Sequence, residues 1–241
     1  MVFIVSTFLL VHGAWHGGWC WERVIPRLES AGHRVLAPSL TGYGDQAHLL
    51  GPEVGLETHV DDVVTLIETE DLREVILVGH SYAGMVISAV VNRVPERIAQ
   101  LVYLDAMLPR DGETAVDAQP VSQRLIDQAV DGWRIPPMPE QPAPFGLFGV
   151  TDPDDLAWLR GKLTDQPVLC LRQPVRLDNR AADVVPRTHI RCVGARPAGI
   201  VERPIPEVQP NGSPARVWEL PTGHDCMITE PAKLTELLLK V

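Results

Sequence analysis

Short, mostly apolar runs alternate along this chain with longer segments whose apolar residues recur every three or four positions. The runs at 4–12, 34–38, 74–79, 99–105, 188–194 and 215–220 predict strands. They lack an in–out polar alternation, which is the pattern of strands buried on both faces of a parallel sheet. Helices are predicted at 18–31, 56–70, 82–94 and 229–240. The second of these sets Leu56, Val60, Val63, Val64 and Ile67 on one face and Glu57, Asp61 and Asp62 on the other. Strand and helix taking turns in this way predict an α/β fold, a mostly parallel sheet flanked by helices.

The alternation fails between Pro109 and Pro186. Prolines crowd there (Pro136, Pro137, Pro139, Pro142, Pro144), and Trp133, Phe145, Phe148 and Trp158 supply much of the aromatic content. An irregular stretch of that length inside a compact domain usually serves function. Residues 109–186 are therefore expected to form a cap insertion within a single domain, 1–241; the plainer reading is a surface excursion whose aromatics build a satellite core. A length of 241 residues with 45% hydrophobic content suits one large core better than two small ones.

Charge and cysteines narrow the class. The formal net charge of −10 is spread along the chain rather than blocked, which argues against nucleic acid and anionic membrane as partners. The apolar run Val2 to Val11 has no basic residue before it and ends in a His-Gly loop, so it reads as a core strand and not as a signal peptide or membrane span. Cys20, Cys170, Cys192 and Cys226 show no paired spacing, so reduced thiols and a cytoplasmic setting are expected.

Three segments carry candidate chemistry. In Val75-Ile-Leu-Val-Gly79-His80-Ser81-Tyr82-Ala83-Gly84 a predicted strand reverses at once into a predicted helix. Such a turn forces its central residue into a strained backbone conformation that lifts the side chain off the sheet, and small residues two positions either side permit it. Ser81 is thereby a candidate nucleophile, with Ala83 standing where the pattern usually has glycine. Upstream, the strand Phe8 to Val11 runs into His12-Gly13-Ala14-Trp15-His16-Gly17-Gly18-Trp19. The N–H groups of Ala14 and Tyr82 are candidate oxyanion donors. His12 and His16 are read as bracing that loop, since no cysteine or carboxylate cluster at ligand spacing accompanies them. Near the C-terminus the last predicted strand ends in Pro221-Thr-Gly223-His224, which would hang a candidate general base over the same sheet edge.

Together these segments resemble the α/β-hydrolase superfamily, and within it the small esterases related to plant methylesterases and hydroxynitrile lyases. The resemblance rests on His12-Gly13-Ala14-Trp15-His16-Gly17 with Trp19 and Trp21, on Gly79-His80-Ser81-Tyr82, and on Gly223-His224 with Met227 and Glu230-Pro231. It implies Ser81 as nucleophile, His224 as base and the N–H groups of Ala14 and Tyr82 as oxyanion hole. Relatives commonly carry the triad aspartate after the penultimate strand, but here Ala195-Arg-Pro-Ala-Gly-Ile-Val-Glu202 follows it. Asp105, at the end of the strand after the nucleophile helix, is the candidate acid, and Glu202 is its rival; a turn-capping role is the plain alternative for Asp105.

The expected activity is two-step hydrolysis of a small-molecule carboxylic ester, in a hydrophobic pocket lined by Trp15, Trp133 and Phe148, with no metal or organic cofactor. A thioesterase or lactone hydrolase would use the same residues. A hydroxynitrile lyase is a further alternative, although those relatives tend to have a hydroxyl residue where Gly13 stands and a lysine where Asp225 stands. A non-catalytic receptor that kept the pocket is the last. The identity of the substrate and the oligomeric state are not encoded in any of these patterns.

Overall fold

A computed structural model of the protein describes residues 5–196, 199–201 and 203–241. The six apolar runs form one sheet of parallel strands: β1 (Thr7–Val11), β2 (Arg34–Leu36), β3 (Val75–His80), β4 (Ile98–Leu104), β7 (Arg187–Cys192) and β8 (Arg216–Leu220), in the spatial order β2-β1-β3-β4-β7-β8. A separate antiparallel pair, β5 (Arg134–Ile135) with β6 (Gln166–Pro167), lies in the irregular segment.

Both faces of the four central strands are covered, whereas the edge strands β2 and β8 are largely exposed or half-buried. Leu9 and Val11 of β1 and Val75 and Leu77 of β3 enter one core, with α2 (Leu56–Thr69) and α3 (Ala83–Arg93) packed on it. Their alternates Phe8, Leu10, Ile76 and Val78 enter the other core, beneath α1 (Ile25–Ser30) and α9 (Pro231–Leu238). Side chains of a strand point to alternate faces, so uninterrupted apolar runs are what a double-sided burial requires.

Two predicted helices are shorter than their patterns. The span 18–31 is a 3-10 turn at Gly18–Trp21 followed by α1, whose start carries Pro26. The span 229–240 is α9, which begins at Pro231, and a separate short helix, α8 (Cys226–Thr229), precedes it. A proline lacks the N–H that a continuing helix would use, but suits a first turn.

Between β4 and β7 the chain forms the short helices α4 (Ala115–Ala118), α5 (Val121–Ile126), α6 (Pro153–Arg160) and α7 (Val168–Arg172). Several hydrogen bonds tie this segment to the body at the sheet's C-terminal edge: Gln166 accepts from the Tyr43 hydroxyl, the Phe148 carbonyl accepts from Asp225 N–H at 2.9 Å, and the Ile135 carbonyl accepts from Trp15 Nε1–H at 3.0 Å.

Candidate functional site

The turn from β3 into α3 holds Ser81 at φ 57°, in the left-handed region. Its geometry is fixed from three sides. Ser81 N–H donates to Leu104 O at 3.2 Å, and Met107 N–H donates to Ser81 O at 2.9 Å. Gly79 makes the turn possible, because a Cβ there would lie 2.8 Å from Ala83 O. Ala83 is tolerated where glycine is usual; the close backbone approach falls one residue later, at Gly84, where a Cβ would lie 2.0 Å from Met107 O.

The loop after β8 brings His224 over this turn. Its Nε2 lies 2.9 Å from Ser81 Oγ and its Nδ1 2.6 Å from Asp105 Oδ2. Asp105 ends β4 at φ 46°, its N–H donating to Ile190 O at 2.7 Å. That kink turns its side chain toward His224. The other carboxylate oxygen accepts from Cys192 N–H at 3.1 Å and from the Arg196 guanidinium. Burial alone would raise the Asp105 pKa, but the His224 hydrogen bond, followed by the charges of His224 and Arg196, outweighs it and holds the group at about 2. It is therefore a carboxylate at neutral pH, able to accept Nδ1–H and fix the tautomer that presents a lone pair to Ser81. Glu202, the rival acid, lies outside the described residues.

The loop after β1 supplies the opposite wall. Ala14 and Tyr82 both line the pocket at Ser81, and among the described residues neither N–H donates a hydrogen bond within the chain. Tyr82 is held by its hydroxyl, 3.1 Å from His59 Nδ1. The His12 ring accepts Leu40 N–H at Nε2, 3.0 Å, and therefore donates from Nδ1 to Gly13 O at 2.8 Å. His12 is thus neutral and braces the loop, as its sequence context implies. Position 13 has no room for a side chain, since a Cβ there would sit 2.8 Å from Ser81 Cβ.

The pocket beside Ser81 has a volume of about 290 Å³. Trp15 and Phe148 line it, their rings 5.6 Å apart, together with Leu108, Leu125, Met138 and Leu171. Trp133 does not. It follows a tight turn in which Asp131 and Gly132 both have positive φ and Val130 bridges to Arg134, and this carries its half-buried side chain away from the cavity. Gln166 also lines the pocket, and a glutamine in an irregular segment carries no local signal of that in the sequence.

Ligand atoms of His80, His224 and Asp225 lie within 4.8 Å of one another. Four of their six polar side-chain atoms are engaged, while His80 Nδ1 and Asp225 Oδ1 are buried without a hydrogen-bond partner among the described residues. His80 Nε2–H donates to His224 O at 3.1 Å, both His224 nitrogens are engaged by Ser81 and Asp105, and Asp225 Oδ2 faces His16 at 2.9 Å. The engaged atoms join His80, His224 and Asp225 to the Ser81 turn, Asp105 and His16.

Three histidines around the site are buried and neutral. Burial, reinforced by neighbouring imidazoles, lowers His12 and His80 to about 3, and burial lowers His59 to about 4. Each binds its proton more readily in the unfolded chain, so the stability it contributes is complete above the unfolded value of 6.5 and is lost as the pH falls toward the folded value. Between pH 6 and 4.5 unfolding free energy is expected to fall by about 1.4 kcal/mol per pH unit for each of them. His16, whose pKa is raised, works in the opposite sense above 6.5. Urea midpoints across this range check the slope; a midpoint flat between pH 7 and 4.5 would contradict it.

The comparisons with known proteins agree with this fold. The model of a family described as "Alpha/beta hydrolase family" matches residues 8–237. A carbendazim hydrolyzing esterase of Nocardioides sp. (strain SG-4G) is 38% identical over 97% of this chain and 98% of its own. Methylesterase 10 of Arabidopsis thaliana is 29% identical over 97% of this chain and 90% of its own. Among solved structures, an extracellular alpha/beta-hydrolase from a Paenibacillus species superposes with a TM-score of 0.81 at 24% identity, covering 98% of both chains.

Proposed function

The chain belongs to the alpha/beta hydrolase family, and from that premise we propose that it is a serine carboxylic-ester hydrolase acting on esters of small hydrophobic molecules through an acyl-enzyme. The observation that carries the reading is the unbroken line Ser81–His224–Asp105, with separations of 2.9 and 2.6 Å, at the mouth of a largely apolar cavity. The full-length relatives named as an esterase and a methylesterase support ester hydrolysis as the reaction.

In the proposed cycle Ser81 Oγ attacks the ester carbonyl carbon while His224 Nε2 takes the hydroxyl proton. Asp105 stabilises the imidazolium that forms. The carbonyl oxygen, now negative, accepts from the N–H groups of Ala14 and Tyr82. When the C–O bond to the alcohol breaks, His224 returns the proton to the leaving oxygen. Water then enters, loses a proton to His224 and attacks the acyl-enzyme carbonyl; as the ester bond to Ser81 breaks, His224 returns that proton to Oγ, freeing the acid and Ser81.

Residues 109–186 act in this proposal as a cap. They contribute Leu125, Met138, Phe148 and Leu171 to the pocket, so an apolar acyl or aromatic group gains by burial at about 25 cal/mol per Å². The steric closure at Gly13 and the acidic Asp225 set the site apart from the hydroxynitrile lyase pattern. Four buried, unpaired cysteines support a reducing, cytoplasmic setting. No described helix is long and apolar enough to cross a membrane.

A fluorophosphonate probe tests the reading. It is expected to modify the wild-type protein at one position, Ser81, located by peptide mass spectrometry, and a p-nitrophenyl ester is expected to give a burst of nitrophenol equal to the labelled fraction. Modification elsewhere, or none, would remove the acyl-enzyme from the account.

A further inference from the structure

Two charged side chains lie sealed beneath the site and take no part in the cycle just described. His16 is 2% exposed and Asp225 is fully buried. His16 Nδ1 is 2.7 Å from Ala14 O, and Nε2 is 2.9 Å from Asp225 Oδ2. A carbonyl oxygen only accepts, and so does a carboxylate. Both ring nitrogens must therefore donate, and His16 is an imidazolium paired with an ionised Asp225. Burial opposes both charges, yet the charge and hydrogen bond of Asp225 raise the His16 pKa, and His16 in turn lowers that of Asp225.

Each end of this pair touches a different part of the machinery. Ala14, whose carbonyl binds His16, offers the N–H assigned to the oxyanion hole. Asp225 is the residue after His224, and its own N–H is tied to Phe148 O at 2.9 Å. Trp19 stacks on the His16 ring at 5.4 Å and Phe148 packs on it at 5.1 Å, which excludes water. His80 completes the frame by donating to His224 O. A buried ion pair is rarely a net source of stability compared with an apolar pair of like volume; what it fixes is distance and orientation.

We infer that His16 and Asp225 are positioning residues for acyl transfer, a buried clamp that holds the Ala14 oxyanion donor and the His224 base at a set separation across 209 residues of chain. This inference rests on the esterase reading above. The clamp acts on the transition state, because the oxyanion and the imidazolium both develop only there.

The test uses Asp225→Asn, which keeps an acceptor for His16 and removes the charge, and Asp225→Ala, which removes both. On a p-nitrophenyl ester, kcat is expected to fall about 10-fold in the first and on the order of 10²-fold in the second, the scale of a lost oxyanion donor. KM is expected to stay within about twofold, since ground-state binding in the apolar pocket is untouched. In His16→Gln/Asp225→Ala the loss is expected to be no larger than in Asp225→Ala alone, because the two residues act as one unit. Histidine ¹⁵N NMR of the wild type at pH 8 is expected to show one imidazole, assigned to His16, with both nitrogens protonated, and this arm needs neither activity nor a folded variant. A neutral His16 at pH 8, or folded Asp225 variants with wild-type kcat, would overturn the clamp. Wild-type protein that neither turns over esters nor labels at Ser81, while His16 remains doubly protonated, would instead overturn the esterase reading and the clamp's role in it.

Discussion

Replacing Ser81 with alanine is expected to lower kcat for ester hydrolysis on the order of 10⁶-fold, and adding His224→Ala is expected to cost almost nothing more. The reason is that the two groups work on one proton. With Oγ gone there is nothing for His224 Nε2 to deprotonate, and with the imidazole gone the hydroxyl is too weak an acid to attack at neutral pH. Non-additivity of this kind is documented in subtilisin, where single and multiple losses converge near the same rate. The residual rate over water is expected to come from the oxyanion donors and the pocket, so KM should change little. Fold should be retained, because the three backbone hydrogen-bond and packing constraints on the turn do not use Oγ. Steady-state kinetics of the two single variants and the double variant decide it. A double variant slower than Ser81→Ala by the full His224→Ala factor would show that the residues act independently.

Asp105→Asn is expected to cost on the order of 10⁴-fold in kcat, the size of the same change in the serine-protease example, which is about 5.5 kcal/mol of transition-state stabilisation. Asparagine fits the space and keeps an oxygen for Cys192 N–H or for Arg196. Its amide would, however, donate where a carboxylate accepts, turning His224 toward the tautomer that has no lone pair for Ser81. The negative charge opposite the developing imidazolium is lost as well. Asp105→Asn should remain folded and should still bind hydrophobic product analogues. If kcat stays within tenfold of wild type while Glu202→Gln is severely impaired, the acid is Glu202.

The central strands were readable because a parallel sheet buries both of their faces and leaves a largely apolar signature that few other elements imitate. The position of Asp105 beside His224 was readable for a related reason: neighbouring parallel strands end at one edge, so the last polar residue of each is brought to a common line. Helix limits near Pro26 and Pro231 were less legible, since apolar periodicity runs on through a proline that the backbone does not. Trp133 shows a different limit. Composition marks the irregular segment as aromatic, but which ring faces the cavity depends on the turn at Asp131 and Gly132, and an irregular segment has no period from which to infer facing. The partnership of His16 with Asp225 was hidden more deeply, because a contact between residues 209 apart leaves no trace in either neighbourhood. The nearest hint was an acidic residue directly after the candidate base.

The register of β3 with β4 has a consequence for how the site comes into being. Ser81 and Asp105 belong to one β–α–β crossover, and the backbone bonds Ser81 N–H to Leu104 O and Met107 N–H to Ser81 O join Ser81 to residues on either side of Asp105. That unit closes a short stretch of chain, so its entropic barrier is low. His224 arrives from 119 residues beyond Asp105 and must wait for β7 and β8 to dock. Asp105 gains its bonds to Ile190 and Cys192 only when β7 docks, so the acid is oriented after the nucleophile turn and hydrolytic competence requires the last strand of the sheet.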